Sequence, residues 1–247
     1  SCSSIDVLFR CFGAEEVVRL VTCMLMEQSI ILACNDPERI GVHCAEALMS
    51  LCFPWEWPHT YVPYLPRVMM EHLGTPGGSV VGRHTHALNV GPGDMICQRV
   101  IANADVGSVA IPIKVISPGQ VAANDDPTQS VLHELGDDAV APLIAQVEEL
   151  LGMGRKHDSS AKNMPLDLDT CNRVRCSFLL LFMDLLSPMV PALAINHPKQ
   201  KNIVSDRMLA CKQDGQESIF LGQLFQSMAW EPLEEYLRNG CTCSDHS

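Results

Sequence analysis

Apolar residues in the first half of the chain alternate between helical and strand-like spacing. Residues 14–26 carry them at helical intervals, and Ser29–Cys34 is a continuous apolar run typical of a strand buried on both faces. Asp36 followed by Pro37 predicts the N-cap and first position of a helix that runs to about Cys52. Shorter apolar runs at 79–81 and 100–102 predict further strands. Interleaved helices and strands indicate an α/β fold with a mostly parallel sheet flanked by helices.

Weaker signals extend this assignment over residues 5–118. We expect Asp6 to cap a short helix over Val7–Phe12, with Gly13 as its left-handed stop. A second short helix is predicted over 67–73, and residues 107–113 form a further alternating run.

The character of the chain changes after Pro118, where β-branched runs stop. We predict an all-α lobe over residues 119–240, in which 152–169 form a long polar connection. The helices predicted in this lobe cover 138–151, 171–186, 206–212, 217–228 and 231–238.

The composition predicts a folded, acidic protein and argues against nucleic-acid or membrane binding. Hydrophobic residues make up 47% of the 247, which predicts a folded chain, and 17 Lys and Arg against 29 Asp and Glu give a net charge of −12. Because it is acidic, the chain is a poor partner for nucleic acid or for an anionic membrane surface. No apolar stretch is long enough to predict direct membrane insertion. The start of the chain lacks both a signal sequence and an initiator methionine, so we expect a piece of a longer protein.

Twelve cysteines are spread through the chain, many of them within apolar helical runs. This distribution is typical of buried free thiols in a reducing compartment, and predicts a cytoplasmic protein without disulfides.

Residues 54–66, here called the connector, hold two of the three Trp and two of the three Tyr. Pro58, Pro63 and Pro66 fix φ and forbid helix, so the segment should be an extended, rigid link packed through its aromatic side chains. Trp57 is expected to be largely buried between the helices on either side.

This connector, with the glycine-rich turn and apolar strand that follow it, resembles the central signature of the DENN family. The residues at matching positions are Pro54, Trp55, Trp57, Tyr61, Val62, Pro63, Leu65, Pro66, Pro76 and Gly82. Asp105 matches one aspartate of a pair that the family carries after a later strand, and residues 174–186 and 220–236 resemble downstream DENN helices. Trp230 and the residues before it favour the type found in myotubularin-related pseudophosphatases. From the resemblance we expect the upstream longin-like unit of the family to be missing from this chain.

The resemblance implies a guanine nucleotide exchange factor module acting on a Rab-family small GTPase in membrane trafficking. It implies a cytoplasmic protein, peripherally recruited to membranes, that acts by protein-protein contact without covalent catalysis, catalytic residues or a cofactor. The family-motif residues Trp55, Trp57, Tyr61, Pro63, Leu65, Pro66 and Gly82 are expected to be mainly structural. Residues that contact the GTPase are not indicated by the sequence.

Two other readings stay open. One is a DENN-like scaffold that binds a small GTPase or a partner subunit without exchange, favoured by the loss of an aspartate at the strand end and by the variable residues His84–Asn89. The other is an α/β enzyme, against which the absence of a nucleophile elbow or phosphate loop argues.

Polar clusters elsewhere in the chain favour structural roles. His84 with His86, and Cys241 with Cys243 and His246, supply too few ligands for a metal, so no metal site is predicted. Asp167 and Asp169 are expected to cap a helix.

Overall fold

The computed structural model describes residues 2–66, 69, 78–87, 99–112, 137–152, 165–186, 224, 227–230, 232–233 and 235. Its helices are α1 (Cys2–Cys11), α2 (Ala14–Leu25), α3 (Val42–Leu51), α4 (Asp137–Leu150) and α5 (Leu168–Leu186). Its strands are β1 (Ser29–Cys34), β2 (Thr60–Val62), β3 (Ser79–His84), β4 (Val100–Asn103) and β5 (Ser108–Ala110).

The strands form one sheet in the order β2-β3-β1-β4-β5. β1 pairs in parallel with β3 and with β4, and β2 pairs in parallel with β3. Only the β4–β5 pair, closed by a turn at residues 104–107, is antiparallel among these strands. The predicted α/β fold with a mostly parallel sheet is confirmed.

β1 is the central strand because its residues are apolar on both faces. Ile30–Cys34 are all buried, with β3 on one side in the register Ile30 to Val80 and β4 on the other in the register Ile30 to Val100. The backbone N–H of Ala104 extends this ladder by donating to the carbonyl of Ala33 at 2.8 Å.

Two predicted helix caps are confirmed. The Asp36 side chain accepts a 3.2 Å bond from the backbone N–H of Arg39, and Pro37 opens a π-helical turn, Pro37–Gly41, that leads into α3. At α5, the Asp167 carboxylate accepts a 2.6 Å bond from the backbone N–H of Thr170, and this bond lowers the pKa of Asp167.

The predicted start and stop of the first helix are wrong. Asp6 lies inside α1, where it pairs with Arg10 at 2.9 Å and accepts from the backbone N–H of Leu166 at 3.3 Å. Gly13 has φ −69° and ψ 167°, so it is an extended residue at the N-cap of α2 instead of a left-handed stop. The hydrogen bond from Leu166, 160 residues away in sequence, fixes the role of Asp6, and no local sequence pattern reveals it.

α4 and α5 pack against the helices of the sheet region. α4 contacts α2, and α5 contacts α1 and α3. Val147 of α4 and Phe178 and Phe182 of α5 lie in the same buried core as Leu20 and Leu48. Both helices match their predicted ranges closely, whereas the all-α character of residues 119–240 and the division at residue 118 remain predictions. The helices predicted at 67–73 and 206–212, and most of those at 217–228 and 231–238, lie outside the described residues.

Within the described ranges, no helix combines the length and the apolar character that a membrane span requires.

The cysteines depart from the expected set of free thiols at one position. Cys171, on α5, is disulfide-bonded, so the prediction of a chain without disulfides is wrong there. The described cysteines that form no disulfide are Cys11, Cys23, Cys34, Cys44, Cys52 and Cys176.

Candidate functional site: the connector and the carboxyl edge of the sheet

The connector ends as an edge strand of the sheet. Residues 60–62 form β2, in which Tyr61 stands opposite Val80 of β3 and Val62 opposite Val81. Beyond β2 the backbone N–H of Leu65 donates to the carbonyl of Gly82 at 2.8 Å, so the connector stays bound to β3 as far as Leu65.

Gly82 is required by this close approach. A Cβ placed on Gly82 would overlap the carbonyl oxygen of Pro63 and would lie 2.8 Å from the carbonyl carbon of the same residue. Leu65 is 7% exposed and packs against the buried Val81 in a small cluster beside the main core. Pro66 follows it, half-buried. These contacts place Pro63, Leu65, Pro66 and Gly82 together at the β2–β3 edge.

Trp55 is the aromatic residue that buries the connector. Its side chain is 6% exposed, with its ring centroid 6.2 Å from Phe182 of α5 and 5.5 Å from Trp230. The indole Nε1 has no hydrogen-bond partner, so packing alone holds this ring in place. Trp55 thereby joins the sheet region to α5.

Trp57 does not take the buried position expected for it. It is half-buried, its ring meets His59 edge-on at 5.2 Å, and its Nε1 donates a long 3.4 Å bond to the carbonyl of Thr60. The two tryptophans are two residues apart in an extended segment, and it is Trp55 that faces the helices. The prediction that Trp57 is the core residue is therefore wrong.

Tyr61 links the connector to α3. Its hydroxyl donates a 2.7 Å hydrogen bond to Oε1 of Glu46, an exposed residue of α3. Burial of the ring, with this bond as the second cause, raises the pKa of Tyr61 above its usual range.

The amino edge of the sheet brings together residues from separate parts of the family signature. Glu27, at φ 55° in the turn before β1, places its carboxylate 3.1 Å from Nε2 of His59 and accepts a 3.1 Å bond from the backbone N–H of Ala229. Gly78 fits only without a side chain, because a Cβ would lie 2.8 Å from both the Glu27 carbonyl and the His59 ring. The sequence did not reveal the role of Glu27, because its two partners, His59 and Ala229, come from distant parts of the chain.

An apolar pocket of about 420 Å³ opens beside Trp55. It lies between the end of α3, the start of the connector and one face of α5, and Arg175 supplies its positive charge. Its lining residues are Met49, Ser50, Phe53, Trp55, Arg175, Cys176 and Leu179.

The carboxyl edge lies at the other end of the parallel strands. Here β1, β3 and β4 end next to one another, and the chain leaves β1 toward β2 but leaves β4 toward β5. The place where strand connections depart in opposite directions is the usual ligand position in open α/β sheets.

Asp105 organises this edge. Its carboxylate accepts a 3.0 Å bond from the backbone N–H of Asn35 after β1 and a 2.5 Å bond from the hydroxyl of Thr85 after β3. The next residue, Val106, is 70% exposed at the tip of the turn, and Gly107 closes the turn at φ 69°. Asp105 thus holds three strand ends together and presents an apolar side chain to the outside.

The two histidines of this edge stack on each other. The His84 and His86 rings have centroids 5.0 Å apart and nearly parallel planes, and the His86 backbone N–H donates to Nδ1 of His84 at 3.3 Å. Among the residues that the structure describes, no group of three or more His, Cys, Asp or Glu side chains is arranged to hold a metal ion.

One protein-family model matches the first part of the chain. Residues 1–103 match the model of the DENN (AEX-3) domain, a range that contains α1 to β4 and the whole connector. The resemblance seen in the sequence is therefore confirmed over this part of the chain.

Curated relatives agree with the family match. DENN domain-containing protein 2C of Mus musculus is 27% identical over 77 residues, covering 31% of this chain and 8% of that protein. DENN domain-containing protein 2B of Homo sapiens is also 27% identical over 77 residues, covering 31% of this chain and 7% of that protein. Myotubularin-related protein 5 of Caenorhabditis elegans is 24% identical over 182 residues, which cover 74% of this chain and 10% of that protein. The chain spans about a tenth or less of the length of these relatives.

Proposed function

We propose that this chain is the central and downstream part of a DENN module that promotes guanine nucleotide exchange on a Rab-family small GTPase. The observation that carries the proposal is the DENN match over residues 1–103, in the part of the chain that builds the parallel sheet. The long alignment with a myotubularin-related protein supports a module of that type. The module would act in the cytoplasm and reach membranes through other domains or partners, since a net charge of −12 opposes an anionic leaflet.

The GTPase-binding surface that we assign is the carboxyl edge. It combines the adjacent ends of β1, β3 and β4 with an exposed apolar residue, Val106, on a turn fixed by Asp105. An apolar tip with charged and polar neighbours is typical of a protein-binding surface, because the tip loses water on contact and its rim gives specificity. The connector is unsuited to this task because its large residues are used in packing.

Exchange on this surface requires no covalent chemistry. A surface that binds the nucleotide-free GTPase more tightly than the loaded form lowers nucleotide affinity by the same factor, because the two equilibria are linked. The residues of the carboxyl edge therefore need only discriminate between two conformations of the partner.

The test measures release of a fluorescent GDP analogue from a panel of Rab proteins, with the 247-residue chain and with a longer protein that also carries the upstream unit. Val106→Asp should abolish acceleration and retention of the nucleotide-free GTPase, because it places a charge at the apolar tip. Phe53→Asp is the matched control, since Phe53 is 64% exposed but follows the end of α3, at the opposite end of the sheet.

The exchange proposal would be refuted if neither the 247-residue chain nor the longer protein accelerates nucleotide release from any Rab or retains a nucleotide-free Rab. Retention without faster release would favour the second candidate, a scaffold that binds a GTPase without exchange. One observation favours that candidate: both carboxylate oxygens of Asp105 are already used within the chain, which leaves less charge for the partner.

A further inference from the structure

The apolar pocket beside Trp55 has the size and composition of a small-molecule site. Its volume of about 420 Å³ lies within the range of about 300 to 1,000 Å³ that such sites occupy. Three elements form its walls: the end of α3 with Met49, the start of the connector with Trp55, and one face of α5 with Leu179. Because these walls are mostly apolar, they favour burial of an aliphatic group.

Apolar surface continues from this pocket along α5. The residues of this face have the i, i+3, i+4, i+7 spacing that places side chains on one side of a helix, and they are Cys176, Leu179, Leu180 and Met183. Leu180 and Met183 are exposed. An alkyl chain that leaves the pocket can therefore stay in contact with apolar side chains over a further turn of α5.

The polar side chains of the lining favour an anion. Arg175 donates from Nη1 to Oδ1 of Asn172 at 3.2 Å, and none of the ion pairs among the described residues includes Arg175. The indole Nε1 of Trp55 is buried and has no hydrogen-bond partner. The Ser50 hydroxyl adds no donor, because it donates its proton to the carbonyl of Ala47 at 2.8 Å. The described lining contains no Asp or Glu, so nothing in it attracts a cation.

We propose that this pocket binds an aliphatic monocarboxylate of the fatty-acid type. The alkyl chain packs against Met49, Trp55 and Leu179, and the carboxylate accepts hydrogen bonds from the guanidinium of Arg175. The net charge of −12 opposes the approach of an anion to the chain as a whole. A preference for a carboxylate must therefore come from Arg175 itself.

A series of head groups tests the chemistry of the site. Decanoate, decanol and decylammonium share one alkyl chain and carry an anionic, a neutral and a cationic head. Each is titrated into the 247-residue chain, below the concentration at which it forms micelles, and the affinity is measured by calorimetry. We expect decanoate to bind about tenfold more tightly than decanol, and decylammonium to bind most weakly. Equal affinities would overturn the proposal, because apolar contact alone would then explain binding.

Cys176 shows whether the ligand occupies this pocket. It is an exposed cysteine of the lining that forms no disulfide, and trypsin releases it in peptide 176–199, which contains no other cysteine. Bound decanoate should slow alkylation of Cys176 by iodoacetamide about fivefold or more, because it blocks access to the thiol. Acetate, which has the head group without the chain, should give no protection. Binding of decanoate without protection of Cys176 would place the ligand elsewhere and overturn the assignment.

Variants of α5 separate the contact with Arg175 from general attraction to positive charge. Arg175→Gln should weaken decanoate binding about tenfold and leave decanol binding unchanged. Arg175→Glu should reverse the preference, so that decylammonium binds more tightly than decanoate. Arg173→Gln is the matched control, because Arg173 is an exposed arginine of the same helix that does not line the pocket. An equal loss of decanoate affinity in Arg173→Gln and Arg175→Gln would overturn the assignment of the carboxylate to Arg175.

The C-terminus of an apolar peptide carries the same head group, and one further titration distinguishes the two sources. The tripeptide acetyl-trileucine has a free carboxylate on a peptide backbone. We expect it to bind about tenfold more weakly than decanoate, because the apolar walls leave its peptide groups without partners. Tighter binding of the tripeptide would overturn the fatty-acid assignment. These titrations use no GTPase, so their outcome is independent of the exchange proposal.

Discussion

The connector and the carboxyl edge are built from the same parallel sheet but in opposite ways. In the connector, Trp55 and Leu65 are buried, and Gly82 of the neighbouring β3 leaves no space for a side chain. At the carboxyl edge, Val106 is 70% exposed and Asp105 binds only strand ends. The most recognisable sequence of the chain therefore maintains the fold, whereas the surface proposed for partner binding lies on a turn with little sequence signature. Substitutions should separate the two by changing either stability or binding.

Gly82→Ala should give the largest effect. The added methyl group would overlap the Pro63 carbonyl, and the connector cannot retreat without breaking the bond from Leu65 to the Gly82 carbonyl. We expect a loss of about 4 kcal/mol or more in the free energy of unfolding, measured by urea denaturation. Gly13→Ala is the matched control, because a Cβ at Gly13 meets nothing within 4 Å, and it should change stability by less than about 1 kcal/mol. Equal losses in the two variants would show that the connector does not press on β3.

Trp55→Ala should give the second largest loss of stability. Its ring packs between Phe182 and Trp230, so truncation leaves a cavity that costs about 3 to 5 kcal/mol. Trp57→Ala, two residues away, removes a half-buried ring and should cost about 1 to 2 kcal/mol in the same urea titration. The reverse order would restore Trp57 as the core residue of the connector.

The contrast between these two tryptophans shows how much of the packing can be predicted from sequence. The sequence predicts that aromatic residues between prolines must pack, and the structure agrees for the connector as a whole. Which ring packs depends on the position of α5 and Trp230, more than 120 residues further along the chain. β1, the Asp36 cap and the Asp167 cap were predictable because each depends on neighbours within a few residues.

The same distinction explains the residues whose roles the sequence did not reveal. Asp6 and Glu27 bond to Leu166 and Ala229, which are 160 and 202 residues away, and neither bond leaves a local pattern. The disulfide at Cys171 likewise depends on tertiary contact. Asp105 was identified from the family pattern, but its two partners at the ends of β1 and β3 emerge only once the sheet order is known.

Tyr61→Phe should have a smaller effect on stability. It removes the hydroxyl bonded to the exposed Glu46, which should cost about 0.5 to 1 kcal/mol at neutral pH. The raised pKa of Tyr61 adds a signature in pH: its contribution is complete below the unfolded pKa of about 10 and shrinks as pH rises above that value, because the unfolded chain ionises first. Wild type should therefore lose stability faster than Tyr61→Phe above pH 10, in unfolding titrations at several pH values. Parallel curves would show that this hydroxyl is equally solvated in both states.

Val106→Asp, at the carboxyl edge, should have the smallest effect on stability of all. The side chain is 70% exposed on a turn whose bonds come from Asp105 and Gly107, so the free energy of unfolding should change by about 0.5 kcal/mol or less. The same substitution is expected to remove binding of the nucleotide-free GTPase. Trp57→Ala should show the opposite pattern, a measurable loss of stability with GTPase binding retained at a temperature where the variant is folded. If Val106→Asp is destabilised as strongly as Trp55→Ala, the turn is part of the core. That result would contradict the assignment of the carboxyl edge as the GTPase-binding surface.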